Sequence, residues 1–336
     1  MRLLSVIVPC RNERAHVDAL LDAVAAQLLP EGWTLELLVA DGRSDDGTRE
    51  RLDERARAEP RLVVIDNPRR IVSTGLNACL ARARGEVIAR WDMHSRYADD
   101  YLARCLATLD RTRADNVGGP WVAVGTGPMQ CAIAAAFQSR WVVGGARSRD
   151  VGYEGEVETV YLGCWPRASF ERFGAFDETL VRNQDDEHNL RIVRGGGRVW
   201  QSASIRSTYQ PRASVAQLFA QQRQYGYWRP FVLRKHGRPA SWRQLAPALL
   251  VAGLALALAL LPWHGAQPLG ALALAYAAYV LIASVSIASR AGAAAAARAP
   301  LVIAAYQLGY GLGTWQGLLD LLRGRVAAAG SMRLTR

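Results

Sequence analysis

Apolar positions in the first half of the chain follow two alternating rhythms. Short, largely apolar runs at Leu3–Val8, Leu35–Val39, Leu62–Ile65 and Glu86–Trp91 read as buried strands. Between them, Arg14–Leu29, Thr48–Ala58, Ser73–Arg84 and Ala98–Leu109 space their apolar residues three and four apart, as one face of a helix does. Val17, Leu20, Leu21 and Val24 are the clearest such set. The order β-α-β-α-β-α-β predicts an α/β fold, with a mostly parallel, Rossmann-like sheet covered by helices on both faces. From Val117 to Val157 the rhythm fades, and loops and helices over the sheet edge are expected. Val160–Trp165 then reads as a strand, Arg167–Phe173 as a short helix, and Asp186–Arg194 as a helix stopped by three glycines. Val199–Ser202 reads as a strand and Ser214–Tyr225 as an amphipathic helix.

From Leu245 onward the material changes. Residues 245–261, 269–289 and 300–322 are dense in Leu, Ala, Val and Gly. The first two are long enough, or nearly so, to cross a bilayer. The third carries Gln307, Gln316 and many glycines. The expected division is a catalytic domain over 1–240, with interfacial helices at about 214–240, and a C-terminal helical membrane region over 241–336 with two or three hydrophobic segments. The linker Pro262–Pro268 has no Lys or Arg, whereas Arg290 and Arg298 follow the second segment, which fits an out-and-back crossing from the cytoplasm. A third crossing would carry Arg323, Arg325, Arg333 and Arg336 outward, against the charge rule, so a re-entrant or interfacial segment stands beside a true span.

Charge supports this division. The net charge is +11, no Asp or Glu occurs between Glu187 and Asp320, and Arg191 through Arg243 supply eleven Lys or Arg. Because that basic stretch runs straight into apolar spans, it points to the cytoplasmic face of a membrane and away from nucleic acid. The five cysteines lack zinc-like spacing and read as ordinary buried thiols. The N-terminal apolar run is short and reads as a first strand, with no cleavable signal pattern.

Ligands of such sheets sit at the carboxyl ends of the strands. Pro9–Glu13, Asp41–Asp46 and Asp92–His94 all fall there and should converge. Asp92 and His94, two apart at a strand end, point to one face and offer an oxygen and an imidazole to Mg²⁺ or Mn²⁺. Asp185, Asp186 and Glu187 crowd three acids together; like charges this close raise a pKa and suit a site that takes up a proton. The same acids also favour a helix N-terminus, and Arg191 is placed to pair with one of them.

Together, V-P-x-x-N-E, D-G-x-S-x-D-G-T, D-x-H and the D-D-E…R helix resemble the family-2 glycosyltransferases with a glycosyltransferase-A fold, over about residues 3–230. "RWDMHSRY", "VYLGCWPRASFERFGAFDETLVRNQDDEHNLRI" and "QQRQYGYWR" resemble the succinoglycan biosynthesis subgroup. The resemblance implies inverting transfer of a sugar from a nucleotide-sugar, with UDP-glucose or another UDP-hexose as the expected donor. It places Pro9, Asn12, Glu13, Asp41 and Asp92 at the nucleotide-sugar, and Asp92 with His94 at a Mg²⁺ or Mn²⁺ ion. His94 stands where a second Asp is commoner. It puts the catalytic acids at Asp185, Asp186 and Glu187 and makes Asp185 the expected general base. Gln184 stands where many members have Glu, so Asp185 against Asp186 stays open. Gly163, Cys164, Gln221, Arg223, Tyr225 and Trp228 are expected near the acceptor or donor sugar, with Gln221–Tyr225 a degenerate form of Q-x-x-R-W. The implied partners are an undecaprenyl-diphosphate-linked glycan, the bilayer and other exopolysaccharide-assembly proteins. The implied location is the bacterial cytoplasmic membrane. Three rival readings are a polyprenyl-phosphate sugar transferase, a processive synthase, which needs a larger helical bundle, and a non-catalytic scaffold, which would be expected to lack Asp92 or the Asp185 cluster.

Overall fold

The computed structural model describes residues 1–325; Arg333 and Arg336 of the loop-charge argument lie outside the described residues. In chain order these form β1 (Arg2–Cys10), α1 (Val17–Ala25), β2 (Trp33–Asp41), α2 (Thr48–Ala58), β3 (Leu62–Asp66), α3 (Val72–Arg82), β4 (Val87–Arg90), β5 (Arg96–Tyr97), α4 (Tyr101–Thr112), β6 (Asn116–Gly119) and β7 (Val122–Ala123). Then come α5 (Pro128–Phe137), β8 (Gly155–Glu156), β9 (Tyr161–Pro166), α6 (Arg167–Phe173), α7 (Gln184–Arg194), β10 (Val199–Gln201) and β11 (Ser207–Tyr209). The rest is helical: α8 (Val215–His236), α9 (Ala246–Ala259), α10 (Leu261–His264), α11 (Gln267–Ala291) and α12 (Ala293–Leu322). The chain divides into two compact units, Met1–Val122 with Asp150–Tyr209, and Ala123–Arg149 with the described residues from Gln210 onward.

The first unit is built on an eight-stranded sheet of order β3-β2-β1-β4-β9-β6-β10-β8. β1 lies parallel between β2 and β4, β2 pairs parallel with β3, and β6 with β10. β9 runs antiparallel between β4 and β6, and β8 is an antiparallel edge. The sheet is therefore mixed but mostly parallel. Alternation along β1 explains the two cores. Leu4, Val6 and Val8 pack with Val17, Leu20 and Val24 of α1 and Leu102 and Cys105 of α4. Ile7 faces the other way, into Leu76 and Cys79 of α3, Trp165 and Phe170.

One helix ends earlier than its periodicity suggests. α1 stops at Ala25, short of Leu29, because Gln27 is used elsewhere. Its amide donates to the Ala98 carbonyl at 2.9 Å and accepts from the Leu102 amide at 3.0 Å, fixing the start of α4. Pro30 could not have continued the helix in any case.

The second unit is helical. Trp242–Ala259 and Gln267–Ala291 have the length and composition to cross a membrane, and only 11% of each apolar window is buried. Leu249, Leu256, Leu274, Leu281 and Val285 stand exposed along them, an open apolar surface compatible with membrane association. The third hydrophobic stretch lies in α12, which packs along α8 in the same direction. A Cβ on Gly309, Gly313 or Gly317 would stand 2.7, 2.1 and 2.1 Å from the carbonyl oxygens of Phe219, Arg223 and Tyr227. From the other side, a Cβ on Gly226 would meet the Tyr310 oxygen at 2.0 Å. Glycine every four residues is what lets two helix backbones approach this closely. Polar pairs flank the seam: Arg223 Nη2 to Gln316 Oε1 at 2.6 Å, Tyr227 hydroxyl to Asp320 at 3.0 Å, and Arg229 Nε to the Tyr310 hydroxyl at 2.8 Å.

Candidate active site

The first two polar clusters are stitched to each other. Asn12, at φ +54°, donates its amide to Asp45 Oδ1 at 2.7 Å and accepts from the Asp45 amide at 2.9 Å. The Asn12 backbone N–H donates to Ser44 Oγ at 2.7 Å, and that of Glu13 to Thr48 Oγ1 at 2.8 Å. Ser44 in turn donates to Asp41 Oδ1 at 2.5 Å. Asp41 is buried, and its other oxygen receives the Ser44 amide at 3.3 Å. Asp41 therefore holds its own loop in shape. The spacing D-G-x-S encodes a turn, and Pro9 lies partly exposed at the end of β1 beside it.

β4 delivers the third cluster. The Asp92 backbone N–H donates to the Tyr97 hydroxyl at 2.7 Å, and that hydroxyl donates to the Asp92 carbonyl at 3.1 Å. Tyr97 stacks on Trp91 at 3.7 Å, so the turn carrying Asp92 is pinned by aromatic packing. Beyond it, His94 Nδ1 lies 3.7 Å from Glu13 Oε1, and His16 Nε2 lies 3.8 Å from the other Glu13 oxygen.

The fourth cluster meets the third through Arg90, a residue absent from the sequence-based set. One terminal nitrogen of Arg90 lies 3.2 Å from Asp92 Oδ1 and the other 3.2 Å from Asp185 Oδ2. The signal was an arginine closing the buried run Val-Ile-Ala-Arg, two residues before Asp92 and so on its face of the strand. An aromatic wall was missed as well. Trp121 stacks on Tyr161 at 5.5 Å, Tyr209 meets Trp121 edge-on at 5.3 Å, and Tyr209 faces His94 at 6.3 Å.

The three acids of α7 part company. Asp185 opens toward Arg90, its side chain 37% exposed. Its dense surroundings raise its pKa above the ordinary carboxylate value; Arg90 pulls it down, and neighbouring Asp186 pushes it up again. Burial works against the charge of Arg90, but Asp92 and Asp185 outweigh it and hold its pKa above the usual arginine value. Asp186 accepts from Thr159 at 3.1 Å, at the end of a polar chain running from Asn116 through Asn189 to Thr159. Glu187 is fully buried and pairs with Arg191 at 2.9 Å. The structure sets Glu187 apart from the other two acids, in an ion pair reached by the i,i+4 spacing to Arg191. Glu187→Gln is expected to lower stability by roughly 1–3 kcal/mol, by removing the charge partner of the part-buried Arg191, with turnover per folded molecule kept; thermal unfolding beside an activity assay checks this.

Two further expectations shift. Gly163 sits at φ +111°, where a Cβ would come within 2.4 Å of the Trp165 ring, so its role is set by backbone shape. Cys164 is fully buried in the sheet core, its amide donating to Asn116, so its thiol faces the core packing and no surface. Gln221, Arg223, Tyr225 and Trp228 all lie on α8 in the second unit, with Arg223 held by Gln316 and Trp228 buried against Tyr227 and Phe231.

Among the described residues no three His, Cys, Asp or Glu side chains gather into a ready-made metal cluster. The donors on offer are Asp92 and His94, with Glu13 beside the imidazole. Divalent ions at phosphate sites are held by one or two carboxylates plus the phosphates themselves. The sparse set therefore fits a cation that arrives with a diphosphate, not a resident cage.

Comparison with known proteins places this geometry. The profile described as "Glycosyl transferase family 2" matches residues 5–168. Succinoglycan biosynthesis protein ExoA of Rhizobium meliloti (strain 1021) is 32% identical over 326 residues, 96% of each chain. The chain belongs to glycosyltransferase family 2. A second relative of this glycosyltransferase, at 25% identity over 244 residues and 70% of the chain, is a dolichyl N-acetyl-alpha-D-glucosaminyl phosphate 3-beta-D-2,3-diacetamido-2,3-dideoxy-beta-D-glucuronosyltransferase of Methanococcus voltae, of which it covers 75%. Among solved structures, the mannosyltransferase PcManGT from Pyrobaculum calidifontis, in complex with GDP-Man and Mn²⁺, superposes at TM-score 0.63 and 19% identity, over 94% of this chain and 87% of that one. S. aureus TarS 1-349 with UDP-GlcNAc gives TM-score 0.52 at 15% identity, over 97% and 93%. These two likenesses establish the glycosyltransferase-A-like fold.

Proposed function

We propose that this glycosyltransferase moves a hexose from a UDP-sugar, UDP-glucose first among them, to a hydroxyl of an undecaprenyl-diphosphate-linked oligosaccharide during exopolysaccharide assembly. The observation that carries the reading is the convergence of Asp92 and Asp185 on one guanidinium at the carboxyl edge of the sheet. That pairing supplies a place for a diphosphate and a base beside it. The two open apolar helices support a lipid-linked acceptor and a site at the cytoplasmic face of the bacterial inner membrane. The lipid-linked substrate in the name of the Methanococcus voltae relative supports the same acceptor class. Likeness to ExoA along nearly the whole chain supports the exopolysaccharide role.

In this reading Asp92 and His94 would hold the cation beside the donor diphosphate. When bound, Mg²⁺ or Mn²⁺ neutralises the negative charge that develops on the leaving nucleoside diphosphate. Asp185 accepts the proton of the acceptor hydroxyl, whose oxygen attacks the anomeric carbon opposite the diphosphate. The carbon–oxygen bond to the diphosphate breaks as the new one forms, and configuration inverts. Asp186, tied back through Thr159, supports the loop; Asp185 is the base.

A panel of UDP- and GDP-sugars, incubated with membrane lipid extract and Mn²⁺ and read by product mass, tests the assignment. The expected product is a lipid-diphosphate glycan heavier by one hexose, with UDP released. Transfer from GDP-sugars alone, or onto polyprenyl monophosphate alone, contradicts it.

A further inference from the structure

Arg90 is built unlike the other deep-set arginines of its unit. Arg167 spends its guanidinium nitrogens on the backbone carbonyls of Gly85 and Ala83, and Arg191 its terminal nitrogens on those of Phe173 and Ala175 and its Nε on Glu187. These are tethers between segments of the fold. Arg90, with a side chain only 9% exposed, directs its two terminal nitrogens to Asp92 and Asp185, each at 3.2 Å, and its buried Nε finds no partner among the described residues. A buried cation is costly unless it is paired, and its ion-pair partners are the two acids to which the proposed function gives the chemistry. A tether that served only the fold would have its Nε satisfied and would not need a carboxylate that must also accept a metal ion.

The position has a consequence for loading. Asp92, which would take the divalent ion, already carries half of this bridge on its Oδ1. Two cations on one carboxylate repel each other, so a divalent ion at Asp92 would weaken the hold of the guanidinium there. The guanidinium then keeps Asp185 as its remaining ion-pair partner.

We propose that Arg90 is a positioning residue that competes with the divalent cation for Asp92 and, once displaced, holds Asp185 in place for proton transfer. Loading of the cation and diphosphate is thereby coupled to the setting of the base. The proposal rests on the roles given above to Asp92 and Asp185.

The test uses the full chain in detergent, with Mn²⁺ binding followed by the electron paramagnetic resonance of free Mn²⁺ in the presence of UDP, and turnover followed with the donor that the panel identifies. Arg90→Gln is expected to bind Mn²⁺ more tightly, by roughly tenfold, while kcat falls about a hundredfold and the donor KM moves little. Arg90→Lys keeps the charge as a point without the fork, so it should lie between wild type and Arg90→Gln in both readouts. A purely structural arginine would lose binding and turnover together. Mn²⁺ affinity that is unchanged or weaker in Arg90→Gln overturns the proposal; should that variant fail to fold, the same result in Arg90→Lys overturns it. Asp92→Asn separates the two levels. If wild type and Asp92→Asn bind Mn²⁺ alike, or neither binds it, the reading of Asp92 falls. If Asp92→Asn weakens Mn²⁺ binding and the Arg90 variants do not strengthen it, only the role of Arg90 falls.

Discussion

Asp185→Asn is expected to lower kcat by about 10²- to 10⁴-fold, the usual worth of a positioned general base, with nucleotide and Mn²⁺ binding kept. The amide preserves shape but cannot take the acceptor proton. Asp186→Asn should cost far less, because Asp186 serves the chain through Thr159, Asn189 and Asn116. Initial rates for the two variants, set beside UDP binding by calorimetry, decide between the acids. Equal losses in both would remove the distinction, and full activity in Asp185→Asn would remove the mechanism. The sign of the pH response follows from the same residue. Asp185 must be ionised to act, and its pKa is raised by its dense surroundings. The acidic limb of kcat/KM should therefore lie above the ordinary aspartate value of about 3.9, with activity falling as pH drops through that limb. In Asp185→Asn this limb should vanish from the residual rate.

Gly313→Ala should be among the most damaging single methyls in the helical unit. Alanine in a helix gains about 1 kcal/mol over glycine in propensity. Here its Cβ would stand 2.1 Å from the Arg223 carbonyl oxygen, an approach that only backbone displacement can relieve. Overpacking of this kind costs about 1–3 kcal/mol and sometimes more, so the clash wins. Displacing α12 also pulls Gln316 and Asp320 from Arg223 and Tyr227. Gly270→Ala in α11 is the matched control, because nothing lies within 4 Å of its added methyl. Thermal unfolding in detergent should show a lower transition for Gly313→Ala and an equal or higher one for Gly270→Ala. The reverse order would mean that the seam bears no load.

The sheet was legible because its signal is local. Buried runs and helical spacing place β1 through β4 and α4 within a few residues, and α2 and α6 at their observed ends, while the short β5 is not foreseen. Strand direction is not local: nothing in Tyr161–Pro166 reveals that it will run antiparallel between β4 and β6. The sequence pointed to candidate positions where residue type coincided with a strand end, as at Asp92, or with the first turn of a helix, as at Asp185. The site was not legible where one residue acts by joining two distant ones. Arg90 reads as the last position of a buried strand until the fold brings Asp185, ninety-five residues on, to its guanidinium. Glu187 is a different case. Its acidity fitted the cluster, and only its complete burial against Arg191 assigns it to the fold. The glycines of α12 read as mere interruption of an apolar stretch, although their four-residue spacing already carried the packing rule.

The most direct test of the central claim, a single displacement with Asp185 as base, is the anomeric configuration of the transferred sugar. Proton NMR of product made from an α-linked UDP-hexose should show a β linkage. An α linkage would require a second displacement or a front-face mechanism and would contradict the account.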